Sequence, residues 1–173
     1  DYGEYYWINA ASVGEVNLSD TTIKSLLENT DKKILLTIMT DTGIDTAKKR
    51  YEKNGRVKLL YFPLDSRKMI KRIMKKISIE KLILIETEIW PNLIDVVSKK
   101  AEIIIVNGRI SDKSIGRYLK ISFMLKKYLS KISLFLMQSD KDRDRIIAIG
   151  ADESKVIVTG NLKFDIETEN YTE

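Results

Sequence analysis

Trp7 to Val16, WINAASVGEV, is a short apolar run that breaks into small residues and then into an amphipathic segment. Trp7, Ile8 and Ala10 suit a buried strand, Ser12 and Gly14 suit a tight turn, and Ile23, Leu26 and Leu27 begin a helical stripe behind them. Glu15 then falls in the first turn of that helix. In a parallel α/β sheet, ligands bind in the crevice outside the carboxyl ends of the strands, so a carboxylate delivered there is a candidate for chemistry. The same position also suits plain compensation of the helix dipole, which favours Asp and Glu in first turns. The stretch by itself supports either role.

The segments that follow repeat the alternation. Lys33 to Met39 (KILLTIM) reads as a strand buried on both faces, as parallel sheets require. Asp41, Thr42 and Gly43 turn it into a helix from about Ile44 to Lys53, which Asn54-Gly55 ends as a C-cap. Val57 to Phe62 is a third strand stopped by Pro63, and Asp65 or Ser66 caps a helix running to about Ile77. Lys81 to Ile85 leads into Glu86, Thr87, Glu88 and Trp90, with Pro91 opening the next helix. Glu102 to Val106 closes on Asn107, Gly108 and Arg109, after which Ser111 caps a long, basic, aromatic helical region that can be one helix or two. Leu134 to Met137 ends at Gln138-Ser139, Asp140 to Ile149 is a helix capped by Gly150, and Val156 to Val158 precedes Gly160, Asn161, Leu162 and Lys163. This order predicts a doubly wound parallel sheet flanked by helices, with right-handed crossovers and one domain over 1–165. Residues 166–173 form a polar tail or the start of a linker.

Composition removes whole classes of function. The chain of 173 residues is 43% hydrophobic, enough for a full core, and contains neither Cys nor His. Disulfides, thiolate chemistry, imidazole bases and the usual zinc ligands are therefore excluded, and carboxylates must do any acid or base work. No apolar run reaches the roughly 18 to 20 residues of a membrane span. The chain opens on Asp1 rather than Met, so it is expected to be a trimmed piece from which a leader or anchor can be missing. Its 30 Lys and Arg against 25 Asp and Glu give +5, modest attraction for anionic partners without a nucleic-acid signature. Two basic clusters stand out, at Arg67, Lys68, Lys71, Arg72, Lys75 and Lys76, and at Lys113, Arg117, Lys120, Lys126, Lys127 and Lys131. Each is a solvated surface or a contact for anionic lipid head groups or a phosphorylated substrate.

Four strand ends carry unusual polar residues: Ser12 and Glu15, Glu86 and Glu88, Asn107 and Arg109, Gln138 and Ser139. All should open onto one rim, which raises a binding or active site above ordinary caps and turns. There is no P-loop and no GxGxxG, and Ser12 has no imidazole to activate it, so neither a nucleotide cradle nor a hydrolase triad is supported. The glutamates can bind a divalent ion, but pairing with Arg109 or lysines is the simpler reading, and no metal is expected.

Five blocks, WINAASVGE, ETEIWPN, VNGRIS, MQSDKDRDR and GNLKFD, resemble in order and spacing the N-terminal half of the Kdo (3-deoxy-D-manno-octulosonic acid) transferases of lipopolysaccharide synthesis. The resemblance spans about Trp7 to Asp165. It departs from the family at Asn9, where the family usually has His. It implies a Rossmann-like acceptor-binding domain, the N-terminal half of a GT-B glycosyltransferase whose donor-binding half is absent from this chain. The implied substrates are CMP-Kdo, held chiefly by that other half, and a lipid A precursor at the cytoplasmic face of the bacterial inner membrane. No cofactor is implied. By the same resemblance Glu15 is the general base and Glu86 the second important acid. Ser12, Gly14, Glu88, Arg109, Ser139, Asn161 and Lys163 shape the cleft or contact substrate. Lys and Arg of the basic helices can meet lipid phosphates, while Tyr118, Phe123 and Tyr128 touch acyl chains or the bilayer interface, as a peripheral protein or one with a missing anchor. The isolated chain is expected to be inactive. Two alternatives stay open: the acceptor half of another GT-B enzyme, and a non-catalytic Rossmann-like module for an anionic membrane.

Overall fold

The computed structural model describes residues 4–162. The predicted tail over 166–173, and Lys163, lie outside them. Seven strands form one parallel sheet: β1 (Glu4–Ala10), β2 (Lys33–Ile38), β3 (Val57–Tyr61), β4 (Ser78–Ile85), β5 (Glu102–Gly108), β6 (Leu134–Met137) and β7 (Val156–Val158). The spatial order is β3-β2-β1-β4-β5-β6-β7. The chain therefore winds outward from β1 in one direction, returns, and winds outward from β4 in the other. This reversal creates a topological switch point between the carboxyl ends of β1 and β4.

The apolar runs explain the central strands. Residues Tyr6, Ile8, Ile34, Leu36 and Ile38 face one side, packed against Val16 and Ile23 of α1 (Val13–Asn29) and Ile44, Ala47 and Tyr51 of α2 (Asp41–Tyr51). Trp7, Leu35, Leu82, Leu84, Ile103 and Phe135 face the other. That side is covered by α3 (Arg67–Lys76), α4 (Pro91–Val97), α6 (Ser122–Leu129) and α7 (Asp140–Ala148), through Ile70, Leu93, Leu125, Leu129 and Ile146. Strands buried on both faces need near-continuous apolar sequence, which KILLTI and KLILI supply.

Several boundaries differ from the sequence-based expectation, each for a local reason. Helix α2 begins at Asp41 because Thr40 caps it, its hydroxyl accepting from the Gly43 N–H at 3.2 Å. Asn54-Gly55 is not a left-handed helix end. The helix stops at Glu52, and Asn54 instead forms a side-chain turn, its Oδ1 accepting from the Arg56 N–H at 3.0 Å. Ser66 precedes α3 without a side-chain cap bond, while Asp65 caps a different helix: its carboxylate accepts from Asn92 N at 3.1 Å and Leu93 N at 2.8 Å in α4. The long basic region divides at Ile121 into α5 (Asp112–Lys120) and α6. Of its aromatic residues Phe123 is 82% exposed, whereas Tyr118 and Tyr128 pack against the core. Gly150 ends α7 as expected, at φ +116°.

Candidate active site

The residue after each strand reaches the same rim, and the helix caps determine what each does there. Ser12 caps α1 in extended conformation, accepting from the Glu15 N–H at 3.3 Å and donating to Glu15 Oε1 at 3.2 Å. Glu15 Oε2 accepts from the Ala11 N–H at 2.6 Å. This is a capping box displaced by one residue, since the glutamate reaches back to the residue before the cap. Glu15 is 8% exposed. Burial pushes its carboxyl up to about 7; the Ala11 N–H opposes this, the negative charges of Glu88 and Glu86 add to it, and Ser12 also opposes it. Gly14 lies inside the first turn of α1 rather than in a preceding tight turn, with only Ser12 Oγ near the site of an added Cβ.

Across the switch point, β4 ends at Glu86 in left-handed conformation, φ +60°. Its N–H continues the ladder to Val106 O at 2.9 Å, and its own carbonyl accepts from Glu88 N at 3.1 Å. A non-glycine residue held there is strained backbone of the kind that gathers at functional rims. Glu86 Oε2 lies 3.9 Å from Arg109 Nε, a loose ion pair between neighbouring strand ends. The Arg109 N–H donates to Thr87 Oγ1 at 3.0 Å, fixing the backbone while leaving the guanidinium exposed. Glu88 is half-buried, and desolvation raises its carboxyl above the usual range. The Trp90 indole N–H meets no acceptor at good hydrogen-bonding geometry, yet lies close enough to favour the charged form of Glu88. A cleft of about 170 Å³ is lined by Glu86, Thr87, Glu88, Arg109, Ser111 and Tyr118, among others.

The structure thus groups Glu86, Glu88 and Arg109 in one cleft, with Glu15 at the adjoining strand end, close enough to feel both acids. Ser139 stands one strand further out. It caps α7 through a bond from the Asp142 N–H at 3.2 Å and donates to Asp142 Oδ2 at 2.5 Å, so its hydroxyl is committed to the fold. Asn161 immediately precedes Leu162, whose N–H donates to Asn107 Oδ1 at 3.1 Å. Lys163 is outside the described residues.

Asn107 is a strand-end residue that the sequence itself places at the rim, whereas the roles of Thr87, Asp142 and Gly43 carry no sequence signal. Asn107, 1% exposed and left-handed at φ +56°, is held by Gln138 Nε2 on its carbonyl at 3.0 Å and by Leu162 on its side chain. Thr87 anchors Arg109, and Asp142 accepts from the Ile110 N–H at 2.8 Å. Gly43 is required because a Cβ there would stand 2.6 Å from Ile38 Cγ2. Beneath the rim Asn9, fully buried, accepts from Thr37 Oγ1 at 2.8 Å, and the Trp7 indole donates to the same hydroxyl at 2.8 Å. Among the described residues no group of three or more His, Cys, Asp or Glu could hold a metal ion.

Comparison with known proteins gives a consistent result. Residues 2–166 match the family described as 3-deoxy-D-manno-octulosonic-acid transferase (kdotransferase). The chain is 34% identical to the 3-deoxy-D-manno-octulosonic acid transferase of Haemophilus influenzae, over 94% of this chain and 38% of that protein. It is 48% identical to a bifunctional glycosyltransferase/methyltransferase of Fusobacterium nucleatum, over 98% of this chain and 27% of that protein. It therefore spans roughly a quarter to two fifths of the relatives' lengths. Among solved structures it is similar to a UDP-GlcNAc 2-epimerase from Neisseria meningitidis, with a TM-score of 0.65 and 11% identity over 98% of this chain and 51% of that one. That similarity shows the shared α/β fold.

Proposed function

This chain belongs to the 3-deoxy-D-manno-octulosonic-acid transferase family, and on that premise we propose that it is the acceptor-binding half of a two-domain, GT-B-type glycosyltransferase. The proposed reaction is inverting transfer of Kdo from CMP-Kdo to a lipid A precursor. Glu15 removes the proton from the acceptor's primary hydroxyl as its oxygen attacks the anomeric carbon, and CMP departs with the electrons of the broken carbon–oxygen bond. Glu86 and Arg109 position the acceptor in the cleft, and the donor is held chiefly by the other half. The acceptor's home would be the cytoplasmic face of the inner membrane. The exposed Phe123 and the lysines of α5 and α6 supply a surface suited to it.

The observation that carries this reading is the protonation poise of Glu15. A general base works best when its pKa lies near the operating pH, and burial lifts this carboxyl to about 7 at the switch point. The bonds to Ser12 and Ala11 favour a second reading, in which Glu15 only caps α1.

The two readings separate in a polypeptide joining this chain to a donor-binding half. If Glu15 is the base, Glu15→Gln lowers kcat by about a hundred- to ten-thousand-fold with acceptor KM nearly unchanged and the fold retained. Near-normal turnover would overturn the base assignment, and activity lost only in step with the fold would leave the cap alone. The bifunctional relative keeps a different glycosyl transfer in view, which predicts that CMP-Kdo would not serve as donor.

A further inference from the structure

Among the described residues the ion-pair partner of the Arg109 guanidinium is Glu86, 3.9 Å away and beyond hydrogen-bond length. With its side chain 58% exposed, Arg109 reaches into the cleft from wherever the backbone places it. That backbone is gripped from two sides. Toward β4 the Arg109 N–H donates to Thr87 Oγ1 at 3.0 Å. On the other side α7 takes both backbone groups of Ile110: Asp142 Oδ1 accepts from its N–H at 2.8 Å, and the Arg145 guanidinium donates to its carbonyl. The other terminal nitrogen of Arg145 donates to the Asp112 carboxylate in the first turn of α5. Asp142 and Arg145 lie one turn apart on α7 and so share a face. Ile110 is 2% exposed, which makes either backbone group costly to leave unpaired.

We infer that Asp142 and Arg145 are positioning residues of the cleft: by clasping Ile110 they set the place from which Arg109 reaches the acceptor. The inference rests on the acceptor role proposed above for Arg109. Neither helix needs the clasp to begin. Ser139 caps α7, accepting from the Asp142 N–H at 3.2 Å, and Ser111 caps α5, accepting from the Ser114 N–H at 3.2 Å. What the clasp does hold is a wall of the site, because Ile110 and Ser111 line the same cleft as Arg109, Glu86 and Glu88. Hydrogen bonds from Arg145 and Lys141 hold the Asp112 carboxyl down at about 2, so its grip on Arg145 persists at neutral pH. A loop released from α7 would carry the wall and the guanidinium with it, and a misplacement of about 1 Å can cost on the order of a hundredfold in rate.

Steady-state kinetics of a polypeptide joining this chain to a donor-binding half tests the inference, with CMP-Kdo as donor, a lipid A precursor as acceptor and thermal melts recording the folded fraction. Arg145→Gln and Asp142→Ala should each raise acceptor KM at least about tenfold and leave donor KM within about twofold. Asp142→Asn, which keeps one oxygen for the Ile110 N–H, should bring acceptor KM back to within about threefold of the parent. Arg143→Gln on the same helix, whose ion pairs are with Asp140 and Asp144, should leave it within about twofold. Because the clasp acts through Arg109, adding Arg145→Gln to Arg109→Ala should raise acceptor KM less than about twofold further. A full tenfold rise in that background would overturn the inference, as would a fall in kcat with both KM values unchanged, the signature of lost folded protein. Acceptor KM unmoved by Arg145→Gln but raised by Arg109→Ala would overturn the inference alone. A parent that transfers nothing, or an acceptor KM unmoved by Arg109→Ala, would overturn the acceptor reading and the inference with it.

Discussion

The charge state of Glu15 can be read through stability, with no substrate and no second domain. Its carboxyl titrates near 4.5 when the chain is unfolded and near 7 when folded. The folded protein therefore holds that proton more tightly, which stabilises it fully below about pH 4.5. The contribution is lost as pH rises through about 7. A shift of that size is worth about 3 kcal/mol. Glu15→Gln mimics the protonated form: its amide oxygen can keep the Ala11 N–H, and it carries no charge to desolvate. The variant should match the parent near pH 4.5 and gain on it progressively, reaching about 3 kcal/mol above it by pH 8. For a domain of this size that is about 6–12 °C in Tm. Urea titrations at half-unit pH intervals, with m held constant between variants, measure the difference directly. A difference that stays flat from pH 4.5 to 8 would refute the claim that burial beside Glu86 and Glu88 controls this carboxyl. A difference of the opposite sign would show that the carboxylate's hydrogen bonds outweigh its desolvation.

Three further outcomes follow from the packing. Asp65→Ala removes both acceptors at the start of α4 and leaves Ala in a left-handed conformation, so urea unfolding should show a loss of about 2 kcal/mol, whereas Asp65→Asn, tolerant of that conformation and keeping one acceptor, should lose less. Thr37→Val strips the buried acceptor from the Trp7 indole and the donor from Asn9, which should lower stability by about 2 kcal/mol and the Tm by about 4–8 °C in calorimetry. Gly150→Ala forces a left-handed backbone and sets a Cβ 2.9 Å from Lys126 Cβ, for an expected cost of about 2 kcal/mol by the same measurement.

Strands and their order along the chain were legible because burial on both faces demands uninterrupted apolar runs, and KILLTI, KLILI and EIIIV are such runs, short and rich in β-branched residues. The rim was legible in part. Ser12, Glu15, Glu86, Glu88 and Arg109 follow strands immediately, so a parallel sheet brings them to one side whatever the strand order. What local sequence does not carry is reach. Asp65 or Ser66 was expected to cap the helix that follows, and Asp65 instead caps one 27 residues on, since the left-handed turn at Leu64 and Asp65 aims its carboxylate at α4. Thr87 and Asp142 are ordinary residues until the β4–β5 and β5–β6 pairings set Arg109 and Ile110 against them. Gly14 and Gly43 exchanged roles. The first, in a motif, has room around it; the second, read as part of a turn, is the one that contact requires.

Asn107 gives the rim a mechanical property. It sits strained at the end of β5, two residues before Arg109, and its side chain is clasped by the backbone at Leu162, 55 residues later. A pull on the chain at residue 162 therefore loads the strand end that positions the guanidinium. The backbone at Leu162 is fastened beside the pivot of the cleft, and tension there reaches Arg109 within two residues of Asn107.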